Sequence, residues 1–394
     1  VGPISRVTNG IALGILLLMM MLTVADVCLR YIFDRPILGA TELTEFMLTA
    51  VVFFSLGYTA LNKGHVAIEV VADHLSSTIR AIVDGVTTSL GIILGILIAW
   101  RSIGYAQSMY LSRFISPMLG IPIYPFLLVV AFSSGLLSLV LLVNLFKLLV
   151  NVFSKFHRGW LGALSIFGLT SLVFAVPWGW MHLPFELSSV TVGLIGLGIL
   201  LPFLFSGMYV GFAFALIGFL GIVILSGPSA GLTVLGTVPY STSASYSMSV
   251  IPLFVLMGTF CFFSGLSREL YETTYKWLGH LRGGLAMATV AACAGFAAVS
   301  GSSLATAATM GIVALPEMKK HKYDDRLATG AVAAGGTIGI LIPPSVILII
   351  YGILTEQSVG KLFLAGLIPG ILEAVFYMIT IFILCKRDPT MGPK

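Results

Sequence analysis

Along most of the chain, apolar residues run in blocks of about 18 or more, the length a helix needs to cross a hydrocarbon core of roughly 30 Å. Short polar pieces part them. Blocks at 10–33, 42–62, 83–104 and 121–147 predict four membrane helices, with His65 to Arg80 as a charged amphipathic segment lying along the interface. A lone apolar block follows at 160–181 and ends at His182, Pro184 and Glu186, as a connecting helix would. Further blocks lie at 188–225, 249–267, 284–316, 327–354 and 362–384. Lipid offers no partner to an open sheet edge, so the predicted class is an all-α polytopic membrane protein.

Composition agrees with the pattern. Apolar residues make up 58% and charged residues 9% of the 394 positions, which excludes a water-soluble globule with its quarter or so of charged residues. The net charge of +5 sits in short clusters beside apolar blocks, so it sets orientation rather than signalling nucleic acid. Gly10 to Val24 is followed by Asp26 and Arg30 without a small-residue cleavage site, which reads as a span and not a signal peptide.

Basic clusters fix the topology. Lys147/Lys155/Arg158, Arg268/Lys276/Arg282, Lys319/Lys320/Lys322/Arg326 and Lys386/Arg387/Lys394 all belong on the cytoplasmic side, with a cytoplasmic N-terminus. No Lys or Arg occurs from Gly159 to Ser267, and the clusters balance only if 188–225 crosses twice, with a split near Ser206-Gly207. The block at 284–316 lies between two cytoplasmic clusters and has 33 residues, while two full crossings need roughly 40. It therefore predicts a re-entrant hairpin turning at Val299-Ser300-Gly301-Ser302-Ser303. The next block is interrupted at Leu341-Ile342-Pro343-Pro344-Ser345, where two prolines open the helix.

Two breaks in helix at membrane depth need a protein or water-filled surround. Bared carbonyls and hydroxyls there replace the hydration of Na⁺, and half-helix N-termini attract an anion. Candidate sodium and substrate residues are Ser300, Gly301, Ser302, Ser303 and Thr306 at the turn, and Gly335, Gly336, Thr337, Gly339, Pro343, Pro344 and Ser345 at the second break. Within this set Na⁺ is placed at Ser302, Ser303, Gly336 and Thr337. No charged side chain stands at either break in the sequence, so oxygen ligands for a hard monovalent cation are favoured over a proton or divalent metal.

Other polar residues read as structural. Asp26 and Arg30, one turn apart, and Glu42 and Glu45, at the head of the next span, are expected in ion pairs that support packing between two bodies. The six histidines have no metal spacing and are expected at the surface without a task, and the four cysteines are expected to pack as small apolar groups. No nucleophile elbow, P-loop lysine or dinucleotide turn occurs, which argues against an enzyme and an organic cofactor. A channel, or a scaffold subunit that only docks a partner, remains the rival to a carrier.

Ile251-Pro252-Leu253-Phe254-Val255-Leu256-Met257-Gly258, the Ser300 to Ser303 turn, Pro316-Glu317-Met318 and Ile342-Pro343-Pro344-Ser345 resemble the large membrane subunit of tripartite ATP-independent periplasmic (TRAP) transporters. Arg30-Tyr31-Ile32-Phe33, Arg35-Pro36 and Glu42 resemble their small four-helix subunit. The resemblance implies a fused form: a small unit over 1–155, a connecting helix over 156–187, and the first inverted repeat of the large unit over 188–394. It also implies a bacterial inner-membrane location among membrane lipids, with an elevator-type motion and Na⁺-driven uptake of an organic acid. Expected partners are a periplasmic substrate-binding protein, docking on outward loops near 105–120, 226–248 and 355–361, and the remaining half of the large subunit. Small dicarboxylates, sugar acids such as sialic acid, and keto acids all remain open as substrates.

Overall fold

Helix α1 (Gly2–Phe33) ends where Asp34 turns left-handed at φ 51°, and the chain doubles back into α2 (Ala40–Leu61). The Asp26 carboxylate holds this corner: it pairs with Arg30 at 2.5 Å and accepts the Ile37 N–H at 2.8 Å. Helices α3 (Ser77–Leu111) and α4 (Tyr124–Lys155) complete a four-helix body around Leu90, Leu94, Leu127 and Val130, all fully buried. Small residues allow the α3–α4 approach, since a Cβ at Gly95 would lie 2.4 Å from Ser138 Oγ. These relations come from a computed structural model that describes residues 1–68, 70–155, 159–180 and 188–393.

Helices α5 (Gly159–Trp180), α6 (Ser189–Phe205), α7 (Val210–Ser226) and α8 (Pro228–Ser243) follow, and contacts group all eight into one unit, Val1–Tyr246. The predicted split near Ser206-Gly207 is present, with Gly207 at φ 84° between α6 and α7. The connecting helix is present as α5, while 156–158 and 181–187, with His157, Arg158, His182, Pro184 and Glu186, lie outside the described residues.

The second unit, Ser247–Lys394, holds α9 (Val250–Phe263), α10 (Leu266–Leu278), α11 (Gly284–Ser300), α12 (Ser303–Lys320), α13 (Asp325–Leu341), α14 (Val346–Leu354) and α15 (Val359–Arg387). Its core gathers Phe296, Met310, Met318 and Ile338, each fully buried. Among the described residues no strand forms, and seven helical stretches are long and apolar enough to cross a membrane. One of them, Asp325–Leu354, contains the proline break.

Several expectations are corrected. Within the segment from His65 to Arg80, Ala67 bridges to Tyr209, Val210 N donates to Val66 O at 3.0 Å, and regular α-helix starts at Ser77. Residues 226–248 are not an outward loop but mostly α8, which starts with Pro228 in its first turn, a position where the missing N–H costs nothing. Its Gly236 lets α8 approach the backbone of Arg101, 3.2 Å from where a Cβ would stand. The nominal loop at 105–120 is helical to Leu111. The cluster Arg268/Lys276 sits on amphipathic helix α10, which buries Tyr271 and pairs Arg268 with Glu272 at 3.2 Å.

Glu42 is not in an ion pair among the described residues; its two oxygens accept the N–H groups of Met118 and Leu119 at 2.7 and 2.9 Å, closing the α3–α4 connection onto α2. Both this tie and Asp26–Arg30 are internal to the first unit, so neither joins two bodies. His65 is no idle surface ring, since it stacks on Tyr209 at 4.9 Å. Of the cysteines, Cys293 and Cys385 are buried but Cys28 is exposed.

Candidate functional site

Helices α11 and α12 lie side by side because the chain reverses at Gly301, whose φ of 59° is a left-handed geometry that favours glycine. Ser302 then caps α12, its hydroxyl accepting the Ala305 N–H at 3.4 Å. At the open end of the hairpin, Tyr323 accepts the Leu285 N–H at 3.3 Å and donates to Pro393 O at 2.9 Å. Burial pushes its phenol pKa up, so the hydroxyl stays a neutral donor.

Helix α13 seats against both arms along a face of glycines. Cβ atoms at Gly335 and Gly336 would lie 2.7 Å from Cys293 Sγ and from Ala307 Cβ, and one at Gly339 would lie 3.0 Å from Ser302 O. Beyond Leu341 the chain bends through Ile342, Pro343 and Pro344, with the Pro343–Pro344 peptide cis, and Ser345 caps α14 by accepting the Leu348 N–H at 3.4 Å. The two breaks meet: Val346 N donates to Gly301 O at 3.2 Å, and a Cβ on Gly301 would come within 2.6 Å of Pro344 O.

The structure thus brings together Ser300 to Ser303, Gly336, Gly339 and Pro344 to Val346. Ser300 Oγ and Thr306 Oγ1 hydrogen-bond at 2.8 Å beneath the turn, and both residues are buried, as is Ser345. The donor set consists of backbone carbonyls and hydroxyls at a junction where glycines let the backbones come close, chemistry that fits a hard cation. Thr337 is the exception. Its single hydroxyl proton has two acceptors in reach, Ala334 O at 2.6 Å and Glu373 Oε1 on α15 at 2.9 Å.

That contact corrects a further expectation, because α15 carries a carboxylate to the flank of the second break. Tyr377 also donates to Glu373 Oε1, at 2.7 Å, and Glu373 Oε2 is buried without a partner among the described residues. A lone acid inside the apolar block at 362–384 was the available signal, and an ionisable residue within a span marks function by default.

The fold defines an all-α polytopic membrane protein in which a folded-back helical hairpin seats on a proline-broken helix. Residues 19–151 match the DctQ component of tripartite ATP-independent periplasmic transporters, and residues 197–392 match the DctM component. The chain belongs to this family, with DctQ and DctM segments joined in one polypeptide, and is a multi-pass inner-membrane protein.

A C4-dicarboxylate TRAP transporter large permease protein of Pseudomonas aeruginosa is 44% identical over 39% of the chain and 36% of its own length. The isethionate TRAP transporter permease protein DctMQ of Oleidesulfovibrio alaskensis is 27% identical over 86% of the chain and 51% of its own length. A sialic acid TRAP transporter large permease protein of Vibrio cholerae is 35% identical over 48% of the chain and 43% of its own length. The chain thus spans about half or less of the length of these curated relatives.

Proposed function

We propose that the chain takes part in Na⁺-coupled uptake of a small organic anion, a carboxylate or sulfonate of the kind named for its relatives, handed over by a periplasmic binding protein. The observation that carries this reading is the meeting of the two breaks at Val346 N and Gly301 O, where irregular backbone from two helices is joined directly. Non-helical backbone inside a membrane persists only where protein surrounds it or it lines a cavity, and such breaks are where transporters place ion sites.

Residues suited to hold Na⁺ are Ser302, Ser303 and Gly336 through backbone carbonyls, with the buried hydroxyls of Ser300, Thr306 and Ser345 behind them. Thr337 joins this set only through its backbone, its hydroxyl being turned to α15. The ion supplies positive charge beside an anionic substrate. The N-termini of α12 and α14, both capped by serines, point their amide dipoles into the same region and favour a negative group there. The N-terminus lies in the cytoplasm, and the hairpin with α13 and α14 moves as a unit in an elevator-type cycle, while 1–155 serves as scaffold. The remaining half of the large subunit completes the substrate pocket.

The test is uptake into proteoliposomes containing this chain together with the matching binding protein and the complementary permease segment. Accumulation of a labelled dicarboxylate, isethionate or sialic acid should require an inward Na⁺ gradient and vanish when choline replaces Na⁺. Accumulation indifferent to that exchange ends the coupling proposal, and non-saturating flux points to a channel instead.

A further inference from the structure

The first unit holds a cavity of about 420 Å³ that the transport reading does not use. Its polar wall comes from several helix ends: Lys63 and His65 beyond α2, Arg80 and Asp84 in the first turns of α3, Lys147 near the end of α4, and Tyr209 before α7. Three permanent cations face it against a single carboxylate among these lining residues. Arg80 pairs with Asp73 at 2.8 Å, while among the described residues neither Lys63 nor Lys147 has an ion-pair partner. The His65 ring packs at a tilt against Tyr209, and its Nε2 is buried without a partner among the described residues.

Thr87 lines the cavity and also lines an apolar crevice of about 350 Å³ walled by Ile82, Val86, Leu169 and Phe203. Ile199 and Phe203 of that crevice in turn border an apolar recess of about 190 Å³ against Leu220 and Ile224 of α7. From Arg80 to Thr87 is seven residues along α3, a descent of roughly 10 Å at the helical rise. A cationic mouth bordered at Thr87 by a hydrocarbon-lined crevice over that depth suits an amphiphile with an anionic head.

We propose that this composite cavity binds an anionic phospholipid, its phosphate between Lys63, Arg80 and Lys147 and one acyl chain along α3 beside Thr87. A free phosphate uses the mouth but leaves the apolar limbs empty, which favours the lipid. Basic pockets between membrane helices on the cytoplasmic side are the usual receptors for such headgroups. In the cytoplasmic-N-terminus orientation proposed above, the ends of α2, α4 and α6 and the start of α3 all lie on that side. Lipid binding in detergent depends on neither that orientation nor transport, so the two ideas fail separately.

The full chain, delipidated in mild detergent, is titrated with phosphatidylglycerol, phosphatidylcholine or inorganic phosphate and followed by native mass spectrometry and thermal midpoint. Phosphatidylglycerol should be retained and raise the midpoint, with phosphatidylcholine and phosphate having little effect. The Lys63→Gln, Lys147→Gln double variant should bind phosphatidylglycerol about tenfold more weakly or worse, each cation near a headgroup being a sizeable share of such affinity. Gly198→Leu, which places a side chain in open space at the crevice, should weaken it with both lysines intact. Equal binding of the two lipids, displacement by inorganic phosphate, or wild-type affinity in both variants overturns the proposal.

Discussion

Thr337 on α13 donates its hydroxyl to the Glu373 carboxylate on α15 at 2.9 Å, and Tyr377 reaches the same oxygen at 2.7 Å. The pair ties the helix that flanks the hairpin tip to the long helix behind it. Glu373→Ala removes the acceptor of the Tyr377 hydroxyl and leaves Thr337 with Ala334 O, whereas Glu373→Gln keeps an oxygen in place. The alanine variant should lose about 1–2 kcal/mol of stability and the glutamine variant clearly less, read as thermal midpoints in detergent. Equal midpoints for the alanine variant and the wild type remove any structural part for the tie.

Much of the second unit was legible in the sequence because its signals are backbone signals. A Ser-Gly-Ser-Ser turn inside a block too short for two crossings gives a hairpin, and Pro343-Pro344 gives a break, whatever surrounds them. What stayed hidden depends on partners distant in sequence. Helix α8 is rich in Gly, Ser, Thr and Pro and reads as loop, yet Gly236 seats it against Arg101, a residue 135 positions earlier. Glu42 has the spacing of an ion-pair residue, and only the fold brings it the bare amides of Met118 and Leu119. Glu373 is hidden for a third reason: orientation is set by basic clusters, and a single acid within a span leaves that balance unchanged.

Gly301 is placed where both conformation and space exclude a side chain. Gly301→Ala meets a left-handed φ of 59° and a Cβ position 2.6 Å from Pro344 O, so the hairpin tip and the proline break must separate. The left-handed term alone is about 1–2 kcal/mol. Gly339→Ala, whose Cβ would stand 3.0 Å from Ser302 O, tests the same junction with less force. Gly301→Ala should abolish Na⁺-dependent uptake and Gly339→Ala should reduce it, while Gly330→Ala on the same helix, with nothing near its Cβ position, should leave it intact. Wild-type coupling in Gly301→Ala is incompatible with a cation site at this junction.

Glu42 carries two backbone amides that otherwise face no acceptor in the α3–α4 connection. Glu42→Ala leaves both unpaired, and Glu42→Gln retains one good acceptor at the cost of a donor with no place to go. Thermal midpoints should fall in the order wild type, glutamine, alanine, and proteolysis near 112–123 should accelerate in the same order. Unchanged cleavage there in Glu42→Ala counts against the tie.

Burial lowers the His65 pKa below its ordinary 6.5, because the ring is packed among Tyr209 and Phe212 and resists charging. In the unfolded chain the same ring takes up a proton as pH falls through 6.5. Its contribution to stability is therefore complete above that value and is lost as pH falls from there toward the lowered folded value. Carboxylates titrate mostly at lower pH, so a drop in thermal midpoint between about pH 7 and 5 isolates this ring. His65→Phe keeps an aromatic face for Tyr209 but cannot titrate, and its profile should be flat over that window. A His65→Phe profile that still falls as steeply as the wild type assigns the acid sensitivity to another group.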